Sequence, residues 1–262
     1  MNQPLVSVVV PTFNDSKYVK ECISSIINQT YKNLDVVVVD DCSSDNTVEI
    51  VKSFGDSRIR IFENDSNKGA AYSRNRAIKE CKGDFIAFLD GDDIWHLNKI
   101  EKQIEFMLIN KYDFTGCYYS FLNEDGSFTK KYMSAPKKIS HRRFLKADYV
   151  GCLTVVYKRD IFPDLEIPVD IYKRNDYALW LKLSEKVDCF ILPEILASHR
   201  NRGGSISSGR KYNLIKYHKI MFNKLYGFNA IKSSIYAYRN ALFYVIRRLF
   251  YYKKIKQTMC NN

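Results

Sequence analysis

The chain has 262 residues, 46% of them hydrophobic and 14% aromatic, with a formal net charge of +12. That length can bury a sizeable core, and that composition excludes a disordered chain. Of the 41 basic residues, 14 follow Glu194, where no Asp or Glu occurs, so the excess positive charge belongs to the C-terminal quarter. A basic tail points to an anionic partner: a membrane surface, nucleic acid or a phosphorylated lipid. The seven cysteines, at 22, 42, 81, 117, 152, 189 and 260, are dispersed and form no close pair. This argues against a disulfide framework or zinc site and suits a reducing cytoplasm. The N-terminus lacks a basic n-region, and its apolar run from Val6 is stopped by Pro11, so no signal peptide is expected. Without a run of 18 apolar residues, neither is a spanning helix.

Ser7 to Pro11 reads as a first buried strand, bounded by the turn residues Thr12, Asn14 and Asp15. Ser16 is placed to cap a helix with an apolar face of Val19, Ile23, Ile26 and Ile27, ending near Gln29. Asp35 to Val39 is a second strand, followed at once by Asp40 and Asp41. A short helix from about Thr47 and a third strand, Ile59 to Phe62, come next. Asn67-Lys68-Gly69 then opens a helix carrying Arg74 and Asn75. Strands alternating with helices at this spacing predict βαβ units and a parallel sheet, and all-apolar strands predict helices on both faces.

The fourth strand, Phe85 to Leu89, ends in Asp90-Gly91-Asp92-Asp93, three carboxylates within four residues. In open α/β sheets ligands bind at the carboxyl ends of the strands. Mutual repulsion makes such a cluster a natural holder of Mg²⁺ or Mn²⁺, with Asp90 and Asp92 aiming oxygens at the ion while substrate phosphates complete its shell. A solvated acidic turn, with Gly91 supplying an unusual dihedral, would read the same.

Further on, a helix is expected from Leu97 to Ile109 and an aromatic strand from Phe114 to Phe121. Asn123 to Gly126 gives a hairpin turn signal. Lys137 to Lys146 is expected to be helical after Pro136, Gly151 to Tyr157 to be a buried strand, and Arg174 to Leu181 to begin a helix with Asp176 in its first turn. In the tail, Leu214, Tyr217, Met221 and Leu225 recur at helical spacing. So do Ile231, Ile235, Tyr238, Leu242, Val245, Leu249 and Tyr252, interleaved with Lys232, Arg239, Arg247, Arg248, Lys253, Lys254 and Lys256. An apolar, aromatic stripe with a cationic remainder suits an anionic interface. Packing on the rest of the chain would also explain the stripe, but not the missing acids.

Taken together, Val10 to Asn14, Val39 to Asp45, Asn67 to Gly69 with Arg74-Asn75, Phe88 to Trp95, and Asn175-Asp176-Tyr177 resemble the motifs of family 2 glycosyltransferases of the GT-A fold. The resemblance spans roughly residues 4 to 208, and it is narrower still toward bacterial enzymes of teichuronic acid, capsule or O-antigen biosynthesis. It implies a Rossmann-like α/β sheet, mixed but mainly parallel and flanked by helices. The catalytic domain would be residues 1–208, with a nucleotide-binding half (1–95) and an acceptor half (96–208), followed by a basic amphipathic helical tail (209–262).

The implied chemistry is transfer from a UDP-sugar, with inversion, to a polyprenyl-diphosphate-linked saccharide, using Mn²⁺ or Mg²⁺. Nucleotide contacts fall on Pro11, Thr12, Asn14, Asp40 and Asp41, with Arg74, Asp90 and Gly91; the metal falls on Asp90 and Asp92. For Asp40-Asp41 a turn opener and helix cap is the competing reading, and for Arg74 a surface arginine. Asp176 matches the general base that takes the acceptor's hydroxyl proton; the alternative is an inert helix-start carboxylate. Where the family often has Glu before it, this chain has Asn175, which can accept a hydrogen bond but carries no charge. His199 and Arg202, beside Gly203 and Gly204, resemble a lid that closes over the donor phosphates. The expected setting is cytoplasmic, peripheral on the inner face of the membrane, with no nucleic-acid partner. Two other functions compete: a nucleotidyltransferase acting on a sugar phosphate, which lacks its Gly- and Arg-rich loop here, and a non-enzymatic basic binder, which leaves the acids unexplained.

Overall fold

The computed structural model of the chain describes residues 3–203 and 212–255. In chain order the strands are β1 (Val6–Thr12), β2 (Leu34–Asp40), β3 (Ile59–Glu63), β4 (Phe85–Phe88), β5 (Ile94–Trp95), β6 (Phe114–Leu122), β7 (Phe128–Met133), β8 (Lys138–Ile139), β9 (Val156–Lys158), β10 (Cys189–Arg200) and β11 (Tyr252–Lys254). The helices are α1 (Val19–Ile27), α2 (Thr47–Lys52), α3 (Ala70–Glu80), α4 (Lys99–Asn110), α5 (His141–Phe144), α6 (Asn175–Ser184), α7 (Tyr212–Tyr226) and α8 (Ala230–Tyr251).

All strands belong to one mixed sheet whose main path runs β11-β7-β6-β9-β4-β1-β2-β3. The first half is wholly parallel: β1 lies between β2 and β4, with Thr12 opposite Asp40 and Val9 opposite Phe88. That register brings the carboxyl ends of three strands to one edge, each followed by a polar loop. The valines of β1 and β2 alternate between two cores. Val8, Val10, Val36 and Val38 pack with Ile23 and Ile26 of α1 and Ile100 and Ile104 of α4. Val9, Val37 and Val39 pack with Ala77 and Ile78 of α3 and with Leu179 and Trp180 of α6. Phe88 meets Trp180 edge-on, ring centres 5.3 Å apart, which fixes α6 against the strand that carries the acidic loop.

Three expectations from sequence need correction. From Gly151 to Tyr157 only Val156 onward is strand; Cys152–Thr154 is a 3-10 turn in which both the amide and the hydroxyl of Thr154 bond the Gly151 carbonyl. Local hydrogen bonding by threonine wins over the ladder there. Lys137 to Lys146 is not one helix, because Lys138 and Ile139 pair with β10 and leave only His141–Phe144 helical. The first helix begins at Val19, where the Asp15 carbonyl accepts the amides of Tyr18 and Val19; Ser16 does not cap it.

The tail consists of two helices packed on each other and on the body, ending in β11, which pairs with β7. On α8, Ser233, Ala237, Asn240 and Arg247 are buried, while Ile231, Ile235, Tyr238, Leu242, Val245 and Leu249 are exposed. Arg247, which the stripe pattern put on a solvated cationic face, is only 7% exposed. Among the described residues no helix is long and apolar enough to cross a membrane. Gly204 and Lys256 lie outside the described residues.

Candidate active site

A cavity of about 930 Å³ opens at the edge where β1, β2 and β4 end. Pro11, Thr12 and Asn14 reach it from the end of β1, Asp41 from the loop after β2, and Arg74 from α3. Asp90, Gly91 and Asp92 form its floor after β4, Asp176 enters from α6, and His199 and Arg202 from the end of β10. Of the residues singled out in sequence, only Asp40 does not line it. Its carboxylate is occupied by the Thr12 hydroxyl at 3.0 Å and by the Ser43 amide and hydroxyl at 2.7 and 2.6 Å, so it braces two loops. Asp41 accepts the backbone amides of Lys68 and Gly69 at 2.9 and 2.7 Å, which anchors the start of α3 beneath the cavity.

Arg74 is buried, not a surface arginine: it donates to the Asp90 carboxylate and to the side-chain carbonyl of Asn175. The asparagine thus supplies the acceptor that its position allowed for. Arg174, directly before it, sits at φ +67°, and Asn14 and Cys42 at +51° and +63°. Three non-glycine residues in the left-handed region flank this edge, where such strain is commonly found. Gly91 has no positive φ; its smallness is needed because a Cβ there would stand 2.7 Å from Asp15 Oδ2.

The charges are paired in a chain. Arg202 Nε donates to Asp92 at 2.5 Å and its Nη2 stands 2.9 Å from Asp15. His199 Nδ1 faces the Asp93 carboxylate at 3.0 Å. Burial opposes a charge on that imidazole, but Asp93, Asp92 and Asp90 outweigh it and raise the pKa to about 9. Burial, joined by the charges of Asp93 and Asp90, pushes the Asp92 carboxyl well above the usual carboxylate range. Burial likewise lifts Asp15 to about 6, against the pull of Arg202. Among the described residues no three metal-ligating side chains form a ready cage. The donor set still fits a divalent cation: Asp90 and Asp92 offer hard oxygens but too few to enclose it, as expected where diphosphate oxygens complete the shell.

Sequence reading missed Asp15 and Asp148 as cavity residues. In the sequence Asp15 reads only as a turn residue. Asp148 lies in a loop with no motif; its carboxyl is raised by burial and by Asp176 nearby, and Arg174 stands 3.8 Å away. Also missed was the wall that the tail contributes: Tyr244, Arg247 and Arg248 of α8 and Tyr252 of β11 line the same cavity.

Comparison with known proteins adds to this geometry. The model for Glycosyl transferase family 2 matches residues 7–165. The chain is 40% identical over 212 residues to WfgD of Escherichia coli, named a UDP-Glc:α-D-GlcNAc-diphosphoundecaprenol β-1,3-glucosyltransferase, covering 80% of this chain and 82% of that protein. It is 36% identical over 211 residues to TuaG of Bacillus subtilis (strain 168), a glycosyltransferase ascribed to teichuronic acid biosynthesis, covering 79% and 83%. Among solved structures, S. aureus TarS 1–349 in complex with UDP-GlcNAc matches with a TM-score of 0.69 at 21% identity, over 94% of this chain and 72% of that one. At that identity the likeness speaks for the fold alone.

Proposed function

Because the chain belongs to glycosyl transferase family 2, we propose that it moves a sugar from a UDP-hexose or UDP-N-acetylhexosamine, with inversion, to a polyprenyl-diphosphate-linked saccharide of a bacterial surface polysaccharide such as O-antigen or capsule. The observation that carries this reading is the convergence, on one cavity, of the Asp90/Asp92 pair with Asp176 from a different layer of the fold. Two carboxylates after β4 suit the diphosphate end of the donor, and a separate one on α6 suits the acceptor hydroxyl.

In this assignment Thr12, Asn14 and Asp41 hold the nucleoside, and Arg74 orients Asp90 while facing the diphosphate. Asp90 and Asp92 would hold Mn²⁺ or Mg²⁺, which when bound neutralises the departing nucleotide. Arg202 and His199 occupy the carboxylates Asp92 and Asp93 and are near enough to turn to phosphate. Asp176 makes no hydrogen bond or ion pair among the described residues, and so is free to take the acceptor's proton. The exposed stripe of α8, with Lys253 and Lys254 beyond it, supports a peripheral position on the anionic inner face of the cytoplasmic membrane. The test is UDP release from a panel of UDP-sugars with a lipid-linked saccharide acceptor and Mn²⁺. Acceptor-dependent release from one or a few donors is expected; none from any nucleotide sugar overturns the reading.

A further inference from the structure

We propose that the tail completes the active site: Arg248, backed by Arg247 and framed by Tyr244 and Tyr252, binds the diphosphate of the lipid-linked acceptor. The proposal rests on the glycosyltransferase reading and names the part of the chain that recognises the acceptor's non-sugar portion.

All four residues line the cavity. Arg247 directs one terminal nitrogen to the Asp148 carbonyl and stands with the other 3.4 Å from the Tyr119 hydroxyl, while its buried Nε has no partner among the described residues. Its charge is therefore fixed beside the cavity; among the described residues it makes no ion pair, and the Asp148 carboxyl in the same wall feels its pull. Arg248 is exposed, makes no ion pair among the described residues, and lies 5.5 Å from the centre of the Tyr252 ring. With both arginines lining one cavity, the wall carries two positive charges, which suits a diphosphate bridge with one negative charge on each phosphate, whose oxygens the free guanidinium of Arg248 can engage through paired N–H donors.

The surroundings select an amphiphile over a free anion. Val245 and Leu249, three residues before and one after Arg248, are 55% and 76% exposed and continue the apolar stripe of α8 outside the cavity. On the inner side the wall leads past Tyr119 and Asp148 to Asp176. A molecule with an apolar chain, then a diphosphate, then a sugar matches that order from outside to inside. The donor nucleotide also carries a diphosphate, but it lacks anything for the stripe.

The test measures binding to the full-length protein by calorimetry, with farnesyl diphosphate as the acceptor-like probe and farnesol, inorganic diphosphate and UDP as the other arms. Arg248 is exposed, so Arg248→Gln is expected to fold normally; Arg248→Lys keeps the charge without the paired donors. Farnesyl diphosphate should bind more tightly than inorganic diphosphate or farnesol. Arg248→Gln should weaken it about tenfold or more, with Arg248→Lys intermediate and UDP affinity within about twofold of the parent. An equal loss of UDP affinity assigns the arginine to the donor and overturns the proposal. So does farnesyl diphosphate binding that is indifferent to Arg248 or no tighter than inorganic diphosphate. If the parent protein releases no UDP from any donor yet binds farnesyl diphosphate through Arg248, the activity assignment fails while the lipid-diphosphate subsite stands.

Discussion

Asp176 and His218 are both polar side chains on helices of the C-terminal half, yet their surroundings give them opposite tasks. Asp176 is half-buried at a cavity wall with Asp148 close by. Replacing it with Asn keeps shape and removes the proton acceptor. Asp176→Asn is expected to lower kcat by about two to four orders of magnitude with UDP affinity unchanged; parallel losses of both would indicate a binding role instead. His218 is buried on α7, its ring 5.9 Å from that of Tyr177, with neither nitrogen partnered among the described residues. Burial, then the positive charge of Arg174, lowers its pKa to about 3. A histidine whose folded pKa is depressed binds its proton only in the unfolded chain between about 3 and the usual 6.5. Its neutral form therefore favours folding fully above pH 6.5, and stability falls as pH drops through that value, by about 2 kcal/mol at pH 5. The raised pKa of Asp15 and Asp148 works in the other direction, so the test is a difference. Denaturant midpoints of the parent and of His218→Leu should diverge as pH goes from 7 to 5, the parent losing more; parallel curves would mean that the imidazole is not held neutral.

At the scale of elements, α8 presents two faces with separate duties. The inward face mixes apolar packing by Tyr236, Ala237 and Phe243 with polar anchors: Asn240 donates to the Tyr177 hydroxyl at 2.7 Å, and Arg239 and Arg247 donate to the carbonyls of Leu145 and Asp148. Deleting the helix would remove these supports along with any surface contact, so truncation cannot separate docking from membrane binding. Substitutions in the outward stripe can. Ile235→Asp, Leu242→Asp and Leu249→Asp combined should abolish sedimentation with anionic vesicles while shifting the melting temperature by only a few degrees, since exposed positions each contribute about 0.5 kcal/mol or less. Vesicle binding that survives all three would rule out the stripe as the membrane contact, and a parent protein that does not sediment with the vesicles would discard the peripheral assignment. The stripe was legible because its spacing is helical over many turns. What the sequence did not disclose was which side faces the body, since Asn240 and Arg247 look like surface residues until Tyr177 and Asp148 are brought to them. β10 was hidden for a different reason. Pro193-Glu194 interrupts it, and the pairing with β6 shifts register between Leu192 and Ile195, so proline sits at a bulge where its missing N–H is harmless. A proline in a run of apolar residues reads as a break until the neighbouring strand is in view.

For the whole molecule, residues 1–95 were the more legible part because βαβ units put polar loops at fixed points: each strand end precedes its own motif, and the register aligns them, although Asp15 was missed and Asp40 does not reach the cavity. The rest of the chain has no such rule. Asp148, Tyr119 and Arg247 come from distant loops, a strand and the tail, and only packing joins them. This division predicts where ligands stabilise. UDP with Mn²⁺ at a hundredfold excess over its dissociation constant should add about 2.7 kcal/mol, a rise of about 5–10 °C in melting temperature, and single-stranded RNA should add none. Asp92→Asn should lose the Mn²⁺-dependent part of that rise while the ligand-free protein melts no lower than the parent, because the raised pKa marks a carboxylate that is costly to ionise in the fold. A ligand-free Asp92→Asn protein that melts several degrees lower would mean that its ion pair with Arg202 outweighs that cost.

The three residues of β11 have a bearing on how the protein is made. Tyr252, Lys253 and Lys254 lie opposite Met133, Tyr132 and Lys131 and so occupy the outer side of β7. Until they leave the ribosome, more than a hundred residues after β7, that side has unmet amides and carbonyls. An open strand edge is a template for pairing with another chain. Shortened products that stop before Tyr252 are therefore expected to self-associate, even though their parallel strands β1 to β4 are complete.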